Sequence, residues 1–519
     1  MEYLNKHKIN TDSLKKRYLF KLGSSFIDVP INLIITTVVI RSLGPATYGN
    51  FTFLTQFFTK IVNFFDSGTS AGFYTKLSNR LNERGLIKFY WYLVLILCLM
   101  ALIFVSLVLI FNKQSLFWPG QSIIYIWLAL IFSLLTWFSN IVIKIVDAYG
   151  YTVKGEILKI MGRILGLVLV LILFFIEKLN LKTYFFYYYI FILIIIIGSG
   201  SFLRKYCISL YPNIKLKSEQ IKMYTKEFWS YSHPLITYSV LGLLVGILDV
   251  WMLQKFAGSV QQGFYGLAIK ISSICFIFAS SMTPLIMREF SIAFGNKDMY
   301  KMRDLFSHFI PLIYSLISFL VIFISVNGEK IALLFGGNEY FQSKEAISIM
   351  VLYPMHQTYG QLSGSIFFAT GQTKLYRNIG VIFMLVSLPL TYILLAPSSS
   401  FGFGLGATGL SIKMVAIQFI AVNVQLFYNA KFLRISFFKL FSHQIYTAVI
   451  FVIIAYFSSF IANNIYTNKI IISIFINIII YVILSMCLLF SFPFIFSLTR
   501  KELNKYIILL KNKNPFKIS

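Results

Sequence analysis

The sequence predicts an all-α integral membrane protein of about fourteen transmembrane helices, arranged as two six-helix lobes related by a parallel repeat, with two more helices appended. Three observations carry that reading. Of the 519 residues, 58% are hydrophobic and 12% charged, at a mean hydropathy of +0.78, whereas soluble globular domains carry about 25% charged residues. The apolar residues fall in runs long enough to cross a hydrocarbon core of roughly 30 Å as helices. Short glycine motifs also recur at corresponding places in the two halves.

Polar breaks separate apolar runs at about 18–41, 50–72, 89–111, 121–146, 157–176, 184–203, 228–256, 262–287, 305–326, 344–369, 379–396, 405–428, 444–464 and 470–497. They divide the chain into a polar segment 1–17, a first lobe 18–203, a basic connection 204–227, a second lobe 228–428, appended spans 429–497 and a basic tail 498–519. Residues 1–17 lead straight into the first run, so no cleavable leader is expected.

Alternate connections are basic. On one side fall Lys76, Arg80, Arg84 and Lys88, then Lys154 and Lys159, the whole of 204–227, Arg288 to Arg303, Lys374 and Arg377, and Lys431 to Lys439. The same side holds the N-terminal Lys6, Lys8, Lys15, Lys16 and Arg17 and the lysine-rich tail. By the positive-inside rule this side is the cytoplasm, and an even number of spans puts both termini there. The same dispersal accounts for the net charge of +28. Anionic lipid, rather than nucleic acid, is the expected neighbour.

The stretch Leu19 to Ser78 holds the first two spans, joined by a polar hairpin at 41–50. Asp28, Lys60 and Asp66 lie inside it, and charges at membrane depth normally face a protein interior or a watery cavity. Arg41-x-x-Gly44-x-x-x-x-Gly49 has a counterpart in Lys255-x-x-Gly258-x-x-x-x-Gly263. Ala148-x-Gly150-x-Thr152 has one in Ala369-x-Gly371-x-Thr373, at nearly the same separation. Six helices per repeat is even, so both copies enter the membrane in the same direction.

Other motifs read as structure. Gly404-x-Gly406-x-x-Gly409 matches a dinucleotide fingerprint, but it opens an apolar span with no preceding strand, so its glycines serve a tight turn. Gly162 and Gly166, Gly242 and Gly246, and Gly360 and Gly364 place small residues on one helix face, where backbones approach closely. Pro30, Pro234, Pro284, Pro354 and Pro389 kink or begin spans. Cys98, Cys207, Cys275 and Cys487 lack metal-type spacing. His233 and His356 stand away from any nucleophile with a third partner. No catalytic residue, metal or cofactor is expected.

Arg41-x-Leu43-Gly44-Pro45, Tyr48-Gly49, Asp66-x-Gly68, Ala71 and Ser78 together resemble the N-terminal signature of bacterial polysaccharide flippases of the Wzx type. These belong to the multidrug/oligosaccharidyl-lipid/polysaccharide exporter superfamily. The run GFGLGATGLS resembles that family's glycine-rich start of the last helix of the second lobe. The resemblance implies a flippase of the bacterial inner membrane, not an enzyme. Its substrate would be a polyprenyl-diphosphate-linked oligosaccharide, such as an O-antigen, capsular or exopolysaccharide repeat unit. Partners would be that lipid, membrane lipids and other polysaccharide-assembly proteins.

Lys60, Lys270 and Lys413 each lie about eight to ten residues inside a helix that starts on the outer side, or roughly 12–15 Å deep. A common depth on both lobes predicts one aqueous, cationic cavity, which the resemblance implies would contact the diphosphate. Asp28 and Asp249, in the first span of each lobe, are expected either to couple transport to a cation or to pair statically with a cavity lysine. Both carboxylates keep open a cation-coupled exporter of small drugs on the same fold. A membrane glycosyltransferase is disfavoured by the short outer loops.

Overall fold

A computed structural model of the chain describes residues 14–206, 208–465, 469–498 and 500–504. The expectations for Lys6 and Lys8, for Cys207 and for most of the basic tail fall outside these residues. The described residues form helices and connections without strands, and the chain divides into two compact units, Met1–Gly263 and Phe264–Ser519.

The first unit opens with α1 (Leu14–Asp66), followed by α2 (Thr69–Asn79), α3 (Arg84–Ile110), the short α4 (Gln114–Phe117), α5 (Ile123–Ala148), α6 (Thr152–Phe175) and α7 (Leu181–Lys205). Next comes α8 (Ser218–Ile274), inside which the first unit ends. In place of a polar hairpin at 41–50, a single residue, Gly44, leaves helical geometry at φ 69° and ψ 170°. Glycine reaches that conformation without a Cβ penalty, and Pro45, which has no N–H to leave unpaired, begins the second limb. Gly258 in α8 has almost the same conformation, φ 79° and ψ −177°. Gly150 and Gly371, the other matched pair, both have positive φ, at 84° and 73°. The repeated motifs therefore mark repeated breaks in the backbone.

The second unit continues with α9 (Phe276–Gly295), α10 (Met299–Asp304), α11 (Ile310–Val326), α12 (Gly328–Gly336), α13 (Lys344–Met350), α14 (Tyr353–Ala369), α15 (Thr373–Leu395), α16 (Gly406–Leu433), α17 (Phe437–Ile465) and α18 (Ile470–Ser491). Its core is continuous, running through Phe290, Phe306, Tyr314, Tyr359, Phe451 and Tyr481. Eleven helical segments among the described residues are long and apolar enough to cross a membrane, and two of these contain the glycine breaks. The run expected at 344–369 is split into α13 and α14, with Pro354 in the first turn of α14, where its missing N–H costs nothing.

The glycine-rich run before α16 folds back on the end of α15. The N–H groups of Phe403, Gly404 and Leu405 donate to the carbonyls of Ile393, Ala396 and Leu394 at 2.8, 2.8 and 2.9 Å. Those carbonyls have no partner within their own helix, so the turn caps α15 and launches α16. GxxxG positions act as close contacts: a Cβ on Gly162 would meet Phe191 at 3.1 Å, and one on Gly166 would meet Tyr187 at 2.9 Å. These contacts press α6 onto α7.

Candidate functional site

Two sets of residues on neighbouring helices create a charged interior in the first unit. Lys21, Ser24, Asp28 and Asn32 follow one another at three- and four-residue steps along α1, so they share a face. Glu156, Lys159 and Arg163 do the same along α6. Because α1 packs on both α5 and α6, and α7 packs on α5 and α6 in turn, these faces meet around one cavity of about 480 Å³. Phe132, Tyr188 and Phe191 supply aromatic walls, and Thr136, Ser139 and Asn140 add hydroxyl and amide groups.

The charges inside are paired. Arg163 Nε lies 2.9 Å from Asp28 Oδ1, Asn32 Nδ2 donates to Asp28 Oδ2 at 2.9 Å, and Arg163 Nη1 donates to Asn32 Oδ1 at 3.1 Å. The guanidinium also rests on the Phe191 ring, 4.5 Å from its centroid, an arrangement that suits its planar, weakly hydrated cation. Ser24 Oγ donates to Glu156 Oε2 at 2.6 Å, and Lys159 Nζ lies 2.8 Å from Glu156 Oε1. At one margin Arg17 donates to Thr152 Oγ1 at 3.0 Å and to the Asp147 carbonyl at 3.1 Å. Lys21 approaches the Asp147 carboxylate at 4.0 Å. Of the charged lining residues three are cations and two anions, so the cavity is polar and slightly cationic. It can hold hydroxyl-rich or anionic groups at membrane depth, where bulk lipid cannot.

Asp28, singled out in the sequence, is therefore ion-paired. Asp249 is buried at 7% exposure on the first limb of α8. Lys60 is half-buried on the second limb of α1, and its stem runs across Gly246 of α8, where a Cβ would lie 2.9 Å from Lys60 Cδ. Lys413 is 3% exposed in α16, and Lys270 is half-buried in the second limb of α8. Asp28, Lys60 and Asp249 belong to the first unit, Lys270 and Lys413 to the second. Asp66, also flagged in the sequence, has a local role: its Oδ1 accepts from the Ser70 N–H at 2.9 Å and from Thr69 Oγ1 at 3.2 Å, capping α2.

Glu156, Lys159 and Arg163 are not among the site residues expected from the sequence. Their three- and four-residue spacing was the available signal. A separate charged cluster joins α2 to the start of α8. Glu227 Oε2 is 2.8 Å from Lys76 Nζ and 2.7 Å from Arg80 Nη2, and Tyr224 donates to Glu83 at 2.6 Å. The Arg80 guanidinium hydrogen-bonded to Glu227 holds that carboxyl below its ordinary value.

A family described as polysaccharide biosynthesis protein has a profile that matches residues 14–288, more than half of the chain, and a MatE profile matches residues 234–393. Among solved structures, a lipid II flippase, MurJ, in an inward closed conformation is similar, with a TM-score of 0.65 at 15% identity over 91% of this chain and 98% of its own. An inward-facing multidrug resistance MATE family transporter has a TM-score of 0.59 at 16% identity, covering 80% of this chain and 98% of its own. A transporter of the same superfamily from Pyrococcus furiosus has a TM-score of 0.54 at 16% identity, covering 82% and 97%. At these identities the likeness is one of fold. No curated protein sequence matches the chain.

Proposed function

Because the chain belongs to the polysaccharide biosynthesis protein family, we propose that this multi-pass membrane protein is a flippase. It moves a polyprenyl-diphosphate-linked oligosaccharide from the cytoplasmic to the outer leaflet of a bacterial inner membrane by alternating access. The observation that carries this reading is the charged cavity of the first unit. Its paired ions and hydroxyl groups replace water around a polar headgroup, and Tyr188, Phe132 and Phe191 offer faces on which sugar rings stack. A slight excess of cations offsets the diphosphate charge as it leaves water.

In this proposal Lys60, Lys270 and Lys413 contact the diphosphate during passage, each as a compact point charge. Asp28 exchanges Arg163 for a proton or cation during the cycle, and Asp249 takes up a proton or cation on α8. The substrate is an O-antigen, capsular or exopolysaccharide repeat unit, and the enzymes that build and polymerise that unit are the partners. The basic loops lie on the cytoplasmic side.

The MatE profile match and the paired Asp28 favour one second reading, a cation-coupled exporter of small organic molecules. A leaflet-orientation assay in vesicles separates the two. Deletion of the gene, with no redundant flippase present, leaves undecorated lipid-linked repeat units facing the cytoplasm while their synthesis continues. Normal translocation in the deletion strain refutes the flippase assignment.

A further inference from the structure

Tyr184, Tyr187 and Tyr188 follow one another at three- and four-residue steps near the start of α7, so they share a face. Their rings cluster, with centroids 5.8, 5.0 and 5.0 Å apart. Phe51, on the second limb of α1, packs on Tyr184 at 4.8 Å and on Tyr188 at 5.8 Å, and Tyr48 lies 6.1 Å from Phe51. Tyr48, Tyr184 and Tyr187 are buried. Phenylalanine would fill the same space without the cost of taking a hydroxyl out of water. The rings explain the packing, and the hydroxyls need a reason of their own.

Their placement supplies one. Tyr184 Oη and Tyr188 Oη lie 3.1 Å apart, and either can donate to the other. Tyr188 lines the polar cavity, as Asp28 does. Tyr187 turns toward α6: a Cβ on Gly166 would meet its Oη at 3.1 Å, and its hydroxyl meets the guanidinium of Arg163, the partner of Asp28. Tyr48, beside Thr52, faces the hydroxyls of Tyr184 and Tyr188 from α1. Asp28 stands about 24 Å along α1 from the break at Gly44, whereas Tyr48 and Tyr184 lie within about 6 Å of the starts of their own helical limbs. In the topology read from the sequence those starts are the outer ends. The hydroxyls thus occupy the stretch between the outer face and the cavity. Each is both donor and acceptor, which a proton relay requires and a phenylalanine cannot provide.

We propose that Tyr48, Tyr184 and Tyr188 relay a proton from the outer water to the polar cavity, where it neutralises Asp28. A hydronium ion gives its proton to the outermost hydroxyl, each hydroxyl passes its own proton to the next oxygen, and Tyr188 passes one through cavity water to the carboxylate. No tyrosine gains or loses a proton overall. The charged groups around Asp28 are Arg163, Lys159 and Glu156 of α6 and Lys21 of α1, and α5 adds only hydroxyl and amide groups to the lining. Once Asp28 is neutral, Arg163 loses its counter-ion, and the Tyr187 hydroxyl and the Phe191 ring hold the guanidinium in place. The inference rests on the coupling role proposed for Asp28, and it is independent of the cargo.

The test uses the full chain in proteoliposomes, inserted with the outer ends of the spans toward the bath and with a buffered interior. The bath is acidified rapidly, and protonation of Asp28 is followed by the infrared carbonyl band of its carboxylic acid, identified by its loss in Asp28→Asn. In the wild type the band is expected to rise with acidification of the bath and not with acidification of the interior. Tyr184→Phe and Tyr188→Phe keep the rings, so each is expected to keep the melting temperature while slowing the rise by on the order of 100-fold. Tyr189→Phe is the control. Its hydroxyl donates to the Leu128 carbonyl at 2.5 Å, away from the relay, and its removal leaves the rate unchanged. Equal rates in the wild type and both relay variants, or a wild-type band that follows the interior, overturn the inference. Leaflet orientation of the lipid-linked cargo, measured separately, keeps the two readings apart. Slowed protonation in the variants without translocation by the wild type sinks the flippase reading alone, and translocation with equal protonation rates sinks the relay alone.

Discussion

A Cβ built on Gly49 would lie 1.7 Å from the carbonyl oxygen of Ser259, and, reciprocally, one built on Gly263 would lie 2.1 Å from that of Pro45. Pro45 and Ser259 each follow a broken-helix glycine, and Gly49 and Gly263 each stand five residues after it. The repeat therefore meets itself backbone to backbone. Side chains complete the clasp: Asn50 Oδ1 accepts from Ser259 Oγ at 2.6 Å and from Gln121 Nε2 at 2.8 Å, and Gln254 Nε2 donates to Ser259 Oγ at 3.0 Å.

Gly49→Ala and Gly263→Ala therefore have to push α1 and α8 apart at the clasp. Overpacking of this kind costs about 1–3 kcal/mol. Each variant is expected to lower the melting temperature of the purified protein and to raise the reactivity of a cysteine placed at Asn50. Gly295→Ala, where a Cβ meets nothing within 4 Å, is the control and leaves both unchanged.

The Asp28–Arg163 pair predicts non-additivity. Either Asp28→Asn or Arg163→Gln leaves one partner of a hydrogen-bonded charge pair uncompensated, whereas the double variant removes both. A double-mutant cycle on thermal stability is expected to show a coupling of about 0.5–3 kcal/mol. Asp28→Asn is also expected to abolish the dependence of transport on an ion gradient. Retained dependence leaves Asp28 a structural role only.

Glu227 sets a pH response in the α2–α8 joint. Its carboxyl is depressed below the ordinary 4.5 by the hydrogen bond from Arg80 first, then by Lys76. A carboxyl depressed in the folded state contributes stability above its unfolded pKa and loses it as pH falls through the folded one. The joint is thus intact at neutral pH and loosens below 4.5. Amide protection factors, which remove the intrinsic pH dependence of exchange, are expected to fall on acidification in the C-terminal turns of α2 and the first turns of α8 in the wild type. In Glu227→Gln they are already low at neutral pH and change little.

Lys60, Lys270 and Lys413 are expected to act through charge. Arginine at each position preserves part of the transport rate and glutamine lowers it, with membrane insertion unchanged. Cysteines at the three positions are expected to react with a water-soluble thiol reagent. Protected cysteines together with fully active glutamine variants would sink the role assigned to these lysines.

Fusion reporters after Lys217 and after Asn338 are expected to report opposite faces of the membrane. The same face for both would mean that the number of crossings between them differs from the sequence reading.

Hydrophobic runs and charged loops are local properties of a chain in a bilayer, because each backbone polar group there has to be satisfied within its own segment. Length and composition were therefore enough to read an all-helical membrane fold, and the spacing of Gly44, Gly258, Gly150 and Gly371 showed a recurrence that only the structure identified as breaks in the backbone. The sequence also marked Asp28 as an interior charge. It did not name the partner, since Arg163 is far along the chain and the choice between Arg163 and any cavity lysine depends on which face of α6 turns toward α1. The same holds for Lys60, whose stem runs across Gly246 of α8, a residue far from it along the chain. Segment identity was determined by the sequence through short-range energetics. Pairing of charges, the polar cavity and the glycine clasp were decided by tertiary packing, which joins residues that no local rule connects.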